Sequence, residues 1–369
     1  MVQKVRVLHI LGELKPSGAE CMLRVAAKNF AEHGIDTEIL STGTEHVGAF
    51  ASALREVGYA VHHIPFSKSI LFFIKVSNLI RLRHYDVVHI HSERANFWFG
   101  LSAKLAGVRR IVSTVHAIFA FQGWLRLRRM LFRRLQEKLG VIRIAISPSV
   151  RENEQLVFGS SIDVVPNWYD HDHFRPPTPE QRIFARARLG IADGAFAVVS
   201  VGNCSKIKNH QAVLEALPLL PNELSVVYLH VGGEETDCPE KQLAQKLGIE
   251  NIVRFLGQLQ DPLPILHAAD AYVMPSINEG FGIAALEALA VGLPSILSDV
   301  PGLRDFGLDY PNIHYCKLSP VEIATSISDL AELDLSTRQQ MTIKYSEISK
   351  KKYGIDIGVR NYSRLYQRA

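Results

Sequence analysis

Two carboxylates stand eight residues apart in the stretch "MPSINEGFGIAALEALAVGLPSILSD", residues 274–299: Glu279 and Glu287. On one continuous helix, eight residues would turn the second roughly 80° from the first. They converge only if Glu279 lies in a loop and the helix starts after it, near Ile283. Gly280 and Gly282, flanking Phe281, allow that turn and let backbone approach a ligand closely. A carboxylate is a pure hydrogen-bond acceptor, so it suits hydroxyl donors such as those of a sugar or a ribose. Two exposed helix glutamates would leave the glycines unexplained.

Three other stretches carry chemistry of the same kind. In "VGNCSKIKNHQAVLEAL", Asn203, Lys206 and Lys208 lie between a strand and a helix. An ammonium is a compact charge suited to pyrophosphate oxygens, and the alternative is a pair of solvated lysines. In "GELKPSGAECML", Ser17 and Gly18 form a tight turn before a helix. Its free N–H groups can face an anion, or the segment is an ordinary loop. It is not the GxGxxG fingerprint, so no nicotinamide cofactor is indicated. In "STVHAIF", His116 follows a strand and either serves structure or meets a sugar hydroxyl or phosphate. His89 and His91 pose the same choice, with His91 nearer its strand's end.

The elements that must position these residues alternate along the chain. "VRVLHIL", "DTEILST", "AVHHIPF", "DVVHIHS", "RIVSTVH" and "RIAISPS" read as buried parallel strands separated by amphipathic helices. After "IDVVPNWYD" a cluster of Pro176, Pro177 and Pro179 reads as a linker. The rhythm then restarts with "AFAVVSVGN", "SVVYLHVGG", "NIVRFLGQ", "AYVMPS", "PSILSD" and "IHYCKL". The expectation is an α/β chain of two Rossmann-like domains, 1–175 and 176–354, with parallel sheets and a final helix over 355–369. Open parallel sheets bind ligands beyond the carboxyl ends of their strands, so two facing domains would form a cleft there.

Composition narrows the class. At 369 residues, the chain exceeds what one core usually serves. With 47% hydrophobic and 21% charged residues it is an ordinary globular protein. Cys21, Cys204, Cys238 and Cys316 lack metal-ligand spacing and read as reduced thiols of a cytosolic compartment. There is no signal-peptide pattern and no stretch of membrane-spanning length. Residues 1–175 hold 23 Lys/Arg against 15 Asp/Glu, or +8, and the remainder holds 18 against 22, or −4. A basic half suits an anionic surface or ligand. Within it, "WLRLRRMLFRRLQEKLG" reads as a helix with Trp124, Leu125, Leu127, Leu131, Phe132, Leu135 and Leu139 on one face and Arg126, Arg129 and Arg133 opposite. That basic face is expected to be either solvated or laid on an anionic membrane.

Together these motifs resemble the family 4 glycosyltransferases, which have the GT-B fold. The resemblance spans nearly the whole chain: "SGAE", "DVVHIHS", "VSTVH", "AISPS", "VVPN", "VGN…K", "RFLG", and above all Glu279 and Glu287 as E-x7-E with "GFG" and "EALAVGLPSILSD". It implies retaining transfer of a hexose from a UDP- or GDP-sugar to a glycan or lipid-linked acceptor, as in bacterial surface polysaccharide, glycolipid or lipopolysaccharide synthesis. Glu279 would contact the donor sugar and Glu287 the ribose. Lys208 would hold the pyrophosphate, with Gly18 approaching it from the first domain and His116 near the reaction centre. Arg254, Phe255 and Leu256 would lie by the base, and Gly280, Phe281, Gly282 and Ile283 would line the donor loop. The final helix would pack back on the first domain. No cofactor, metal or nucleic acid is expected, and the location is cytoplasmic, with the membrane's inner face as a peripheral contact. The chain departs from the family at Asn203, where arginine is common and which Lys206 would replace, at Ser17 for the first glycine of a pair, at Trp168 in "PNG", and at Asp305. A nucleotide-sugar epimerase and a non-catalytic nucleotide-sugar-binding subunit are the competing readings.

Overall fold

The computed structural model describes residues 4–237 and 239–367. The chain divides into two compact units, Met1–Trp168 with Tyr353–Ala369, and Tyr169–Lys352.

In the first unit seven parallel strands are ordered β3-β2-β1-β4-β5-β6-β7. They are β1 Val5–Leu11, β2 Ile35–Ser41, β3 Ala60–His63, β4 Val87–Ile90, β5 Arg110–Val115, β6 Val141–Ala145 and β7 Asp163–Val164. Successive side chains of a strand point to opposite faces. Val7 and Leu11 of β1 therefore join Phe30 and Ile39 in one core, while Leu8 and Ile10 join Phe72, Val76, Val88 and Phe99 in the other. Helices cover both faces, as all-parallel sheets require. Those used below are α1 Gly18–Glu32, α2 Ile70–Arg83, α3 Asn96–Leu105, α4 Gly123–Lys138 and α5 Pro148–Phe158.

The boundary between units falls at Trp168 rather than at the expected position 175, and Trp168 is the reason. Its indole is fully buried, its Nε1 donates to the Met22 carbonyl at 3.1 Å, and its ring meets Tyr362 edge-on at 4.8 Å. Tyr362 belongs to the C-terminal helix Ile355–Gln367, whose Ile355, Val359, Tyr362 and Tyr366 complete the first core. At Gly358 a Cβ would lie 2.1 Å from the indole, so only glycine lets the ring rest on the helix backbone.

The second unit carries six parallel strands in the order β10-β9-β8-β11-β12-β13. These are β8 Phe196–Val201, β9 Val226–Val231, β10 Val253–Phe255, β11 Ala271–Met274, β12 Ser295–Ser298 and β13 His314–Cys316. The helix after β11, α6 Ile283–Ala290, starts at the expected residue. Cys204 and Cys316 are buried, and Cys238 lies outside the described residues. Among the described residues no helix is long and apolar enough to cross a membrane.

Candidate active site

The second unit's strand order reverses between β8 and β11: the chain steps outward from β8 to β9 and β10, then returns to β11 on the other side. Such a switch point leaves a crevice at the strand ends, because the chain continues from the two strands in opposite directions across the sheet. Lys208 follows β8 and Glu279 follows β11, so the topology sets them side by side. Lys208 Nζ lies 2.5 Å from Glu279 Oε1, which also accepts from Ser276 Oγ at 2.9 Å. The two loops are pinned together by Ile277 N–H donating to the Ile207 carbonyl at 2.7 Å and by Asn209 Nδ2 on the Pro275 carbonyl at 3.3 Å.

The backbone of the glutamate loop rests on a residue that sequence reasoning passed over. Gly302 has φ +88°, and a Cβ there would sit 2.4 Å from the Glu279 carbonyl oxygen. Gly280 and Gly282 bracket the turn, and Gly282 precedes the first residue of α6. Phe281 turns inward: its ring packs on Phe306 at 5.4 Å and is buried, so only its backbone is available to a ligand. Ile283 opens α6. The carboxyl of Glu287, on the helix's second turn, accepts no hydrogen bond from the described residues. Burial, with Asp261 adding a smaller repulsion, pushes its carboxyl up to about 8.

The remaining candidates of this unit separate. Asn203 Oδ1 accepts from the Gly233 N–H at 2.8 Å, so this residue ties the β8 loop to the β9 loop instead of offering charge. Lys206 is exposed, with no ion-pair partner among the described residues, and Lys208 alone meets Glu279. Arg254 runs back to the Gly190 carbonyl at 3.1 Å, in the turn ahead of β8, and leaves the strand ends. Phe255 packs its ring on His230 at 5.7 Å, and the Leu256 N–H donates to the His230 carbonyl at 2.8 Å. Two histidines beneath the lysine loop were not anticipated. His230 Nε2 reaches the Gly202 carbonyl at 3.0 Å, and His210 stacks edge-on to His230 at 4.5 Å. Burial, then the neighbouring His230 and Lys208, lowers His210 to about 3. The sequence signal was adjacency, since His210 stands two residues after Lys208.

In the first unit the order reverses between β1 and β4, and four histidines gather there. His9 of β1 and His89 of β4 are register partners. His91 follows β4, and His116 follows β5. His9 Nδ1 bonds His91 Nε2 at 3.0 Å, and His91 Nδ1 bonds His116 Nε2 at 2.9 Å. His89 bonds Tyr366 OH at 2.6 Å and Thr114 Oγ1 at 2.7 Å. Burial lowers His9 to about 3 and His116 to about 4, and lowers His89 and His91 well below the ordinary range, so all four are neutral at neutral pH. A neutral imidazole has one donor and one acceptor. His9 Nε2 is buried without a partner, and an orphaned N–H is rarer than an under-satisfied acceptor. The chain therefore runs from His9 through His91 to His116, leaving a proton on His116 Nδ1. His9, His89 and His91 each bring one ring nitrogen within 4.8 Å of the others, but those of His89 and His91 are all taken by these bonds.

The loop after β1 is less open than expected. Ser17 Oγ donates to Glu20, whose buried carboxyl is raised chiefly by burial, so an acid already occupies the N-terminal turn of α1 beside Gly18.

The family model described as Glycosyltransferase Family 4 matches residues 16–173, and that described as Glycosyl transferases group 1 matches residues 181–347. The chain belongs to the family 4 glycosyltransferases. Among relatives of this glycosyltransferase is the Escherichia coli UDP-Gal:alpha-D-GlcNAc-diphosphoundecaprenol alpha-1,3-galactosyltransferase, 30% identical over 65% of the chain and 64% of that protein. Another is the D-inositol 3-phosphate glycosyltransferase of Geodermatophilus obscurus, 34% identical over 60% of the chain and 53% of that protein. The matched region thus spans under two thirds of either relative. Solved structures agree on the fold: a Rickettsia africae glycosyltransferase gives a TM-score of 0.85 at 19% identity, covering 99% of this chain and 98% of that one. Anabaena HepE in complex with UDP and glucose gives 0.82 at 20% identity, covering 98% of both. The fold is GT-B, with parallel Rossmann-like sheets in both units.

Proposed function

We propose that this protein transfers a hexose, with retention, from a nucleotide sugar to a glycan or lipid-linked acceptor in the making of a bacterial surface polysaccharide or glycolipid. The observation that carries the reading is the Lys208–Glu279 contact of 2.5 Å at the β8/β11 switch point. In the absence of donor the two charges satisfy each other. A diphosphate would claim the ammonium, and a sugar hydroxyl would claim the carboxylate, so one ligand with both groups can replace the pair. Glu287 suits ribose hydroxyls in the same unit, and His116, in the first unit, is oriented to donate from Nδ1. Positioning and charge stabilisation carry the rate on this reading, with the leaving phosphate itself accepting the acceptor's proton. The names of the E. coli relative and of the Anabaena complex favour a UDP-sugar. The residues assigned to the diphosphate need no cofactor or metal. We place the protein on the cytoplasmic side, touching the inner face of the cell membrane.

The test is a thermal-shift screen against UDP-, GDP- and ADP-sugars, since a ligand of the folded state raises its apparent stability. The stabilising donor, radiolabelled, is then incubated with and without lipid extract, and the product's anomeric configuration is read by NMR. Label entering lipid with retained configuration is expected. Sugar isomerised without an acceptor would replace the reading by an epimerase, and binding without turnover would replace it by a binding subunit.

A further inference from the structure

Helix α4 lies the opposite way round from its sequence expectation. Arg133, expected on an outward basic face, is 4% exposed, and its guanidinium forms a two-pronged pair with Glu154 of α5 at 2.7 Å and 2.7 Å. Arg143 joins the same carboxylate, and the Arg133 guanidinium lies over the Phe158 ring. Arg129 donates to Glu93, and Arg126 to the Val157 carbonyl. Burial alone would raise Glu154, but its two arginines more than offset this and hold it low. With Arg133 buried and Arg129 half-buried, part of the apolar face is left outside: Trp124 is 77% exposed, Leu127 57% and Leu131 54%.

That face continues across α3 and α2 into a groove of about 960 Å3, the upper end of ligand-pocket sizes. Its walls are Phe73, Ile74, Trp98, Leu101, Leu105 and Phe132. Ile70 also lines it, Leu71 and Leu82 of α2 extend the exposed apolar surface beyond it, and an apolar patch of this extent marks an interaction site. The net charge around the groove is positive. Glu93 is the single acid of its lining and is already paired with Arg129 and Arg133. Lys68 and Arg128, also of the lining, have no ion-pair partner among the described residues. An apolar trough with unpaired cations fits a hydrocarbon chain carrying an anionic head. It does not fit a soluble glycan, which offers neither.

Resting on the transferase reading above, we propose that the groove between α2, α3 and α4 takes the hydrocarbon chain of a lipid-linked acceptor, with Lys68 and Arg128 meeting its phosphate. Trp98 lines the groove and reports on it. In a Trp124→Phe background, farnesyl phosphate, titrated as a monomer, is expected to shift Trp98 emission to the blue with saturation. Farnesol should bind at least tenfold more weakly, and inorganic phosphate should do nothing. Ile74→Glu with Leu105→Glu changes two side chains already open to solvent. It should weaken farnesyl phosphate at least tenfold while the thermal shift by the nucleotide sugar stays the same. No saturable response, equal binding by the double variant, or binding only to intact anionic phospholipid vesicles overturns the groove. If farnesyl phosphate binds but no nucleotide sugar does, the groove stands and the transferase reading falls.

Discussion

The histidine cluster of the first unit predicts an acid-sensitive domain. His9 is held to about 3 and His116 to about 4 by burial, and His89 and His91 are also lowered. In the unfolded chain each titrates near 6.5. The unfolded state therefore binds more protons as pH falls below 6.5, and stability falls with it. Between pH 7 and pH 5 each histidine that stays neutral costs about 2 kcal/mol. His9 and His116 together cost about 4 kcal/mol, a large part of the stability of a typical domain, and His89 and His91 add to the loss in the same direction. Glu154, whose pKa is lowered, loses its contribution only below the ordinary carboxylate range, so it does not blur this window. All three tryptophans, Trp98, Trp124 and Trp168, belong to the first unit, and their emission reports that unit alone. Urea unfolding followed by tryptophan emission at half-unit steps from pH 7.5 to pH 5 measures the slope. His9→Asn places an amide where the imidazole Nδ1 sits and removes one titrating group. Its loss between pH 7 and pH 5 should be about 2 kcal/mol smaller than that of the parent. A midpoint independent of pH, or an unchanged slope in His9→Asn, would refute the reasoning.

Three further outcomes follow from the geometry. Glu279→Ala should lower turnover by about a hundredfold or more, since it removes a group placed against developing charge, while circular dichroism stays native; near-normal transfer at saturating donor would take Glu279 out of the chemistry. Lys208→Ala should weaken UDP binding more than Lys206→Ala in calorimetric titration, because only Lys208 reaches Glu279; equal losses would assign Lys206 to the diphosphate. Gly302→Ala should drive the Glu279 loop off its seat and abolish donor binding, with little change in the second unit's melting, and a normal donor affinity would show that the loop moves freely.

The alternation of strand and helix was legible because parallel strands buried on both faces are short apolar runs, and each quoted run holds one observed strand. The turn at Glu279 was legible because glycines mark it locally. What escaped lies in pairings across the sequence. A helical wheel divides α4 into two faces but does not say which goes inward. That was decided by Glu93 and Glu154, which are distant in sequence and offer carboxylates to the arginines. Asn203 stood at an expected phosphate position, yet its partner is the Gly233 amide on another loop. His9 looked like any strand residue until register set it beside His89. Gly302 showed no local reason for being glycine, because the backbone that presses on it comes from residue 279.

The C-terminal helix also has a consequence for the making of the protein. His89 and Tyr366, joined by a hydrogen bond, are 277 residues apart. At about 5–20 residues per second a ribosome needs roughly 15–55 s to travel between them. For the last part of that time, roughly 10–40 s between residues 168 and 355, the first sheet waits with Phe30, Trp168 and its histidines uncovered, while residues 169–352 contain everything their own sheet needs. The half synthesised first is thus the half finished last, and the nascent chain depends on protection from aggregation during the wait. A premature stop ahead of residue 355 would injure the beginning of this protein more than its end.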